Sequence, residues 1–298
     1  MLHIKNLPSF LYKKATSFSE ISEQIIALES IGWTVDNLGL SSDGVNPIYG
    51  VHYGDLNNKP TIYVDGTIHG AHEWRCTHWV IQFAKVLANP NVFPEHKEWI
   101  NKLKNKFSFY FIPCLNPYGY LNNDYKNANG VNLNRNYEPI WKGYNAWSGW
   151  GGGNDPIGED YKGPSAFSEV ETQYVKGVWE LYKPSIYVNL HTHGGFEKSL
   201  LQIEYPSRDK EQLFVDLVKS LNLSTNTIVN ETSLTASRPR AGEWGATQRD
   251  KRGEYALGIV YEAGDLNGNE KIGELAITAL LLICIYLYEN HENGKIVL

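Results

Sequence analysis

The segment Gly66-Thr67-Ile68-His69-Gly70-Ala71-His72-Glu73-Trp74 places two imidazoles and a carboxylate within five residues. Zn²⁺ accepts His nitrogen and carboxylate oxygen, and a hydrolytic site needs three such ligands plus an open position for water. His191-Thr192-His193, far downstream, can supply the third ligand. Glu262, closing the apolar run Leu257-Gly258-Ile259-Val260-Tyr261, is a second carboxylate of the kind that serves as a general base. Nine histidines against three cysteines mean that a metal here is held by imidazole and carboxylate, not thiolate. Cys76, Cys114 and Cys284 are too few for a disulfide framework and read as reduced core thiols. HExxH fails, because His72-Glu73 is followed by Trp74-Arg75-Cys76, and the chain has no GxSxG elbow and no P-loop.

These residues need elements to hold them. Helical and strand periods alternate along the chain. Ser17 and Glu20 form a capping box ahead of Ile21, Ile25 and Leu28, with Gly32 as a stop. Strands are expected over 48–54, 61–65, 107–113, 185–191, 199–205 and 257–263. Helices are expected from about Glu73 to Leu87, over 168–182 with Ser168 as cap, and from about 270 onward. The result is α/β: a central mixed, mostly parallel twisted sheet of about eight strands with helices on both faces. All of 1–298 is expected to form a single catalytic domain, since no linker, repeat or low-complexity tract interrupts it. Ligands of such sheets sit at the carboxyl ends of the strands. His69, Asn116, His191 and Glu262 all fall at those ends.

Composition narrows the partners. With 42% hydrophobic, 20% charged residues and a net charge of −6, the chain is globular and a poor candidate for nucleic acid. The apolar run from Leu275 to Tyr288 is too short to span a bilayer. The first residues lack a secretory signal, so cytoplasmic localisation is expected, with release by lysis or virion association as another route.

The stretch Asn127-Ala128-Asn129-Gly130-Val131-Asn132-Leu133-Asn134-Arg135-Asn136-Tyr137 closely resembles the zinc carboxypeptidase family. Asn116-Pro117-Tyr118-Gly119, Gly163-Pro164-Ser165-Ala166-Phe167-Ser168-Glu169 and Ile259-Val260-Tyr261-Glu262 resemble further family segments, in the family's order, over roughly residues 45–290. The resemblance implies one Zn²⁺ per chain on His69, Glu73 and His191, and Glu262 as general base to a zinc-bound water. It also implies a peptide substrate whose free C-terminal carboxylate is gripped by Arg135 with Asn134.

The chain departs from the family in four places. HxxE has become HxxxE, which leaves His72 open as an alternative to Glu73. Where the family carries a carbonyl-polarising arginine, Tyr125 stands, with Lys126 beside it as the candidate cation. Asn132 stands where the family has an aspartate that hydrogen-bonds a ligand histidine, and Trp244 lies nearest the place of a mobile tyrosine. From Arg238 to Arg252, five basic residues, Arg249 among them, outnumber two acidic ones. That excess suggests acidic or cell-wall-type peptides as substrates. Trp141, Trp147 and Trp150 before Gly151-Gly152-Gly153 suggest a glycine-hinged loop at the cleft. A zinc deacylase of small N-acyl amino acids and a non-catalytic peptide or glycan binder are the alternative functions.

Overall fold

The computed structural model describes residues 13–92, 94, 97–138, 141–144, 152–194, 200–205, 228–233, 240–265, 280–281, 283–285 and 287–289. In chain order the elements are α1 (Phe18–Ile26), β1 (Thr34–Leu40), β2 (Pro47–Tyr53), β3 (Thr61–Gly66), α2 (Gly70–Ala88), α3 (Lys97–Lys106), β4 (Ser108–Ile112) and α4 (Pro117–Asn122). There follow α5 (Val170–Tyr182), β5 (Ile186–Gly194), β6 (Leu200–Tyr205), β7 (Ile228–Ser233), α6 (Ala241–Thr247) and β8 (Leu257–Asp265). The strands join in one sheet of order β1-β2-β4-β3-β5-β8-β6-β7. Its centre, β4-β3-β5-β8, is parallel, while β1-β2, β2-β4 and β6-β8 pair antiparallel.

Alternate side chains of the central strands feed two separate cores, as the two-residue period of a strand requires. Ile62, Val64, Phe109, Phe111, Ile186, Val188 and Leu190 pack with α1, α2, α3 and the helical residues near 280–287. Tyr63, Tyr110 and Tyr187 turn to the other face, against Val175, Val178 and Trp179 of α5 and Trp244 of α6. Helices therefore cover both faces, as the alternation in the sequence implied. The three cysteines are buried and free. No described helix is long and apolar enough to cross a membrane.

Half of the expected capping box forms: the Glu20 amide donates to Ser17 Oγ at 3.4 Å, while the Glu20 carboxylate accepts from Thr16 N and Thr16 Oγ1 rather than from the Ser17 amide. The α5 start needs correction: the helix begins at Val170 with Glu169 as its cap residue. Ser168 Oγ is spent instead on Glu169 Oε1 (2.7 Å) and on accepting from Asn136 Nδ2 (2.9 Å). The strand β1 and the helix α3 were not expected from periodicity.

The turn from β3 into α2 is built by two unusual backbone positions. Thr67 sits at φ 53°, a costly conformation for a β-branched residue. Its hydroxyl holds it there, bonding the Glu73 carbonyl at 2.9 Å and Thr77 Oγ1 at 2.8 Å. Gly70, the first residue of α2, lies so close to α4 that a Cβ there would stand 1.8 Å from the Gly119 carbonyl carbon. Backbone meets backbone at that point, so no side-chain rotation relieves the clash. Gly70→Ala is therefore expected to destabilise the fold by about 3 kcal/mol or more, read as a lowered denaturant midpoint. An unchanged midpoint would show that α2 does not depend on this close approach.

Candidate metal centre

The strand order reverses at β3: β4 lies on one side of it and β5 on the other. The crevice beyond the carboxyl ends of these strands is where such sheets bind ligands. His69 follows β3 as the cap residue of α2, and Glu73 lies in the first turn of that helix. Residues four apart share a helix face, as do residues three apart, so the extra residue in HxxxE leaves its two ends together. His191 and Glu262 sit directly opposite each other in the parallel β5-β8 register.

His69, Glu73 and His191 are all buried, and their ligand atoms lie within 4.8 Å of one another. Nδ1 of His69 is 3.0 Å and Nδ1 of His191 is 2.9 Å from the same oxygen, Glu73 Oε1. Burial alone would lower the His191 pKa, but the Glu73 and Glu262 carboxylates outweigh it and lift it to about 9. Burial likewise acts to raise Glu73, and the His191 and His69 imidazoles overcome it, holding the carboxyl at about 2. A buried carboxylate charge facing two imidazoles is the electrostatic mould of a divalent cation. Glu73 is the carboxylate that lies beside both histidines. The side chain of His72 lies outside the described ones.

Each histidine is backed on its far side by an amide, and each amide by a carboxylate. His191 Nε2 bonds Asn189 Oδ1, while Asn189 Nδ2 donates to Asp65 Oδ1 at 2.5 Å. Asp65 also accepts from Tyr187 Oη at 2.5 Å and from Tyr63 Oη at 3.4 Å. Burial pushes the Asp65 pKa up to about 6, against the lowering effect of the Tyr187 and Asn189 bonds. His69 Nε2 is 3.1 Å from Asn132 Oδ1, and Asn132 Nδ2 faces the Glu159 carbonyl (3.2 Å) and Asp160 Oδ1 (3.4 Å).

A carboxylate only accepts, so each amide turns its NH₂ to the carboxylate and its oxygen to the imidazole. With Nε2 of each ring donating to that oxygen, Nδ1 would be the ligand atom offered to a metal. The donor set fits Zn²⁺.

Asp65→Asn is expected to weaken zinc binding about 10- to 100-fold by freeing Asn189 to flip, measured by chelator competition. Wild-type affinity in that variant would remove Asp65 from the metal's support. Asp65 and Asn189 were not singled out from the sequence. The signal was there: both are polar residues in otherwise apolar strands, and they are neighbours in the β3-β5 register.

The remaining sequence expectations divide. Asn134 and Arg135 come to the centre. Asn134 Nδ2 is 3.4 Å from His191 Nε2, and its Oδ1 accepts from the Ala241 amide at 2.9 Å, pinning the start of α6. Arg135 is 6% exposed and already paired. Its Nη2 lies 3.1 Å from Asp160 Oδ1, Nε donates to Tyr144 Oη at 3.2 Å, and Nη1 donates to the Asn134 carbonyl at 2.8 Å. Asp160 and Tyr144 were not anticipated.

Three expected residues stand elsewhere. Lys126 turns its amine to the Gly158 carbonyl at 3.3 Å, and its neighbour Tyr125 packs on the centre instead. Trp244 is buried among Tyr137, Phe167 and Trp179, where its indole serves the core rather than a substrate. Arg249 lies in the turn before β8, donating to the Gly253 carbonyl at 2.6 Å and stacking on Tyr255. The start of β8 is five residues before Glu262, roughly 16 Å at the rise of a strand, so Arg249 is at the wrong end of the sheet.

The rest of the basic segment is also committed. Arg240 pairs with Glu243, Arg252 with Asp250, and Lys251 bonds the Leu56 and Lys59 carbonyls beneath β3. Arg238, Trp147, Trp150 and Gly151 lie outside the described residues. Trp141 donates to the Lys162 carbonyl at 3.1 Å, with the Lys162 amine over its ring.

A family profile described as zinc carboxypeptidase matches residues 13–266, and so includes all three metal-facing residues and Glu262. The chain belongs to the zinc carboxypeptidase family. Carboxypeptidase B of Helicoverpa zea is 30% identical over 184 residues, covering 54% of this chain and 39% of that protein. Human mast cell carboxypeptidase A is 26% identical over 204 residues, covering 62% of this chain and 44% of that protein. The matches thus span less than half the length of these curated relatives. Among solved structures, carboxypeptidase A from Helicoverpa armigera superposes with a TM-score of 0.70 at 17% identity, covering 93% of this chain and 74% of that one. Thrombin-activatable fibrinolysis inhibitor gives 0.69 at 19% identity, covering 92% and 74%. At those identities the likeness concerns the fold.

Proposed function

We propose that this chain is a zinc-dependent metallopeptidase that hydrolyses a C-terminal peptide bond. The observation that carries the reading is the convergence of both Nδ1 atoms on the Glu73 carboxylate, one strand away from Glu262. Zinc held there would supply a Lewis acid for the scissile carbonyl and make water acidic enough to be deprotonated near neutral pH. The chain's own residues do the rest. Glu262, half-buried at the strand end, takes the proton from the attacking water and returns it to the departing amine nitrogen. The Asn189 and Asn132 amides keep both imidazoles aimed. Arg135 anchors the substrate's terminal carboxylate through N–H groups left over from its bonds to Asp160, Tyr144 and Asn134.

Peptides with a free terminal carboxylate should be cleaved, and the same peptides with a terminal amide should be cleaved poorly. Chelation should abolish both activities and zinc should restore them. Equal cleavage of acid and amide ends would sink the exopeptidase reading.

The finer expectation, an acidic or cell-wall-type substrate, rested on the basic segment ending at Arg252. Its described cations are paired with Glu243 and Asp250 or placed beneath the sheet, so that segment lends the preference little support. Rates on matched peptides ending in Glu, Lys and Phe decide it. A clear lead for Glu would restore the acidic reading.

A further inference from the structure

Amide hydrolysis moves the carbonyl π pair onto oxygen as water's lone pair forms the new C–O bond. A fixed hydrogen-bond donor aimed at that oxygen is among the largest contributions a protein makes to such a step. Around this centre the described cationic side chains already bond protein groups, and the N–H groups left on Arg135 are assigned to the substrate's terminal carboxylate. Arg135 has a partner at Nε, Nη1 and Nη2, the Lys126 amine faces the Gly158 carbonyl, and Arg240 faces Glu243.

Tyr125 is different. Its ring lies flat on the His69 imidazole, with centroids 3.9 Å apart and planes 14° from parallel. The residue is half-buried. Its hydroxyl makes no hydrogen bond to any described residue. That hydroxyl stands in the electrostatic reach of Arg135, Glu73, Glu262 and Asp160, which surround the reacting position.

The loop that carries Tyr125 is braced on both sides. Lys126 N donates to Asp124 Oδ1 at 2.9 Å, and Asn116 Nδ2 reaches both the Ile68 carbonyl (3.2 Å) and the Lys126 carbonyl (3.3 Å). One asparagine thus ties the residue before His69 to the residue after Tyr125. The phenol is held relative to the metal ligands before any substrate arrives.

We propose that Tyr125 is a catalytic residue whose hydroxyl donates a hydrogen bond to the carbonyl oxygen of the scissile amide as that oxygen gains charge. The role rests on the peptidase reading above. The phenol proton stays on Tyr125 throughout. When the C–N bond breaks, the electron pair on the oxygen re-forms the carbonyl and the nitrogen takes its proton from Glu262.

Tyr125→Phe keeps the ring on His69 and removes only the donor. The zinc-loaded variant should lose about 100-fold in kcat, with KM within about threefold of wild type. By calorimetry, its affinity for a phosphinic peptide analogue, whose phosphorus oxygens mimic the charged oxygen, should fall by the same factor. Zinc affinity and melting temperature should stay at wild-type values. A purely structural ring predicts the opposite, with kcat and analogue affinity unchanged, and that result would overturn the proposal. If wild type cleaves no peptide, the peptidase reading falls, and the analogue's affinity for the two proteins still decides the role of Tyr125. A wild type that binds no analogue overturns both.

Discussion

Glu262→Gln should leave the metal centre loaded and cut turnover about 10³-fold or more. Glutamine matches glutamate in shape and can still accept a hydrogen bond, but it cannot take a proton from water. A positioned general base is worth about 10²- to 10⁴-fold, and this carboxylate serves twice, first as base and then as acid to the leaving nitrogen. Its place supports both duties: it faces His191 across the β5-β8 register at the end of the sheet where His69 and Glu73 also lie. The same substitution removes one of the carboxylates that raise the His191 pKa. That carboxylate attracts a divalent ion more strongly than a proton, so zinc affinity should fall slightly while the centre stays loaded at saturating zinc. Zinc content by atomic absorption and kcat on a cleavable peptide, measured on one preparation, check the two halves. Activity within tenfold of wild type would remove Glu262 from the chemistry.

Glu73→Gln should weaken zinc binding by more than about 100-fold, beyond the cost of losing an outer-sphere partner. It removes the only carboxylate of the metal-facing set and leaves two imidazoles converging on an amide. The variant should also lose a pH dependence that wild type shows. In the metal-free protein Glu73 draws a proton onto His191, whose pKa rises from 6.5 to about 9. The stability from that raised pKa is complete below 6.5 and is lost as pH climbs through about 9.

Glu73 itself, depressed from 4.5 to about 2, contributes stability above 4.5 that disappears as pH falls through about 2. Zinc must expel the His191 proton to bind. Its affinity should rise about tenfold per pH unit from 6.5 upward and level off near 9. Chelator competition across that range reads the slope. A flat profile in wild type would show that His191 enters the complex already neutral.

The sequence by itself determined the chemistry of the centre and the class of the fold. His69, Glu73, His191 and Glu262 were identifiable because strand ends are local features: an apolar run stops, and a polar side chain of metal-binding or proton-transferring type follows. The central strands were legible for the same reason, since β3, β4, residues 186–192 of β5 and 257–261 of β8 are buried and read as largely apolar runs. The edge strand β1, with its mix of exposed and half-buried residues, carries no such run and escaped notice.

What the tertiary structure alone decided was every question of partnership. Whether Glu73 reaches both histidines depends on the β5 strand lying beside β3, a pairing between residues more than a hundred positions apart in the chain. The basic stretch near Arg249 looked like a pocket wall because charge can be counted in sequence. Its placement at the opening end of β8 cannot be counted, and there its charges are spent on neighbours. Lys126 and Tyr125 differ by one position, and a one-residue step in a turn sends one side chain to the Gly158 carbonyl and lays the other on the His69 ring. Residue types are written along the chain. Which side chains meet is settled by packing, where a strand register or a turn angle decides what lies within 3 Å of what.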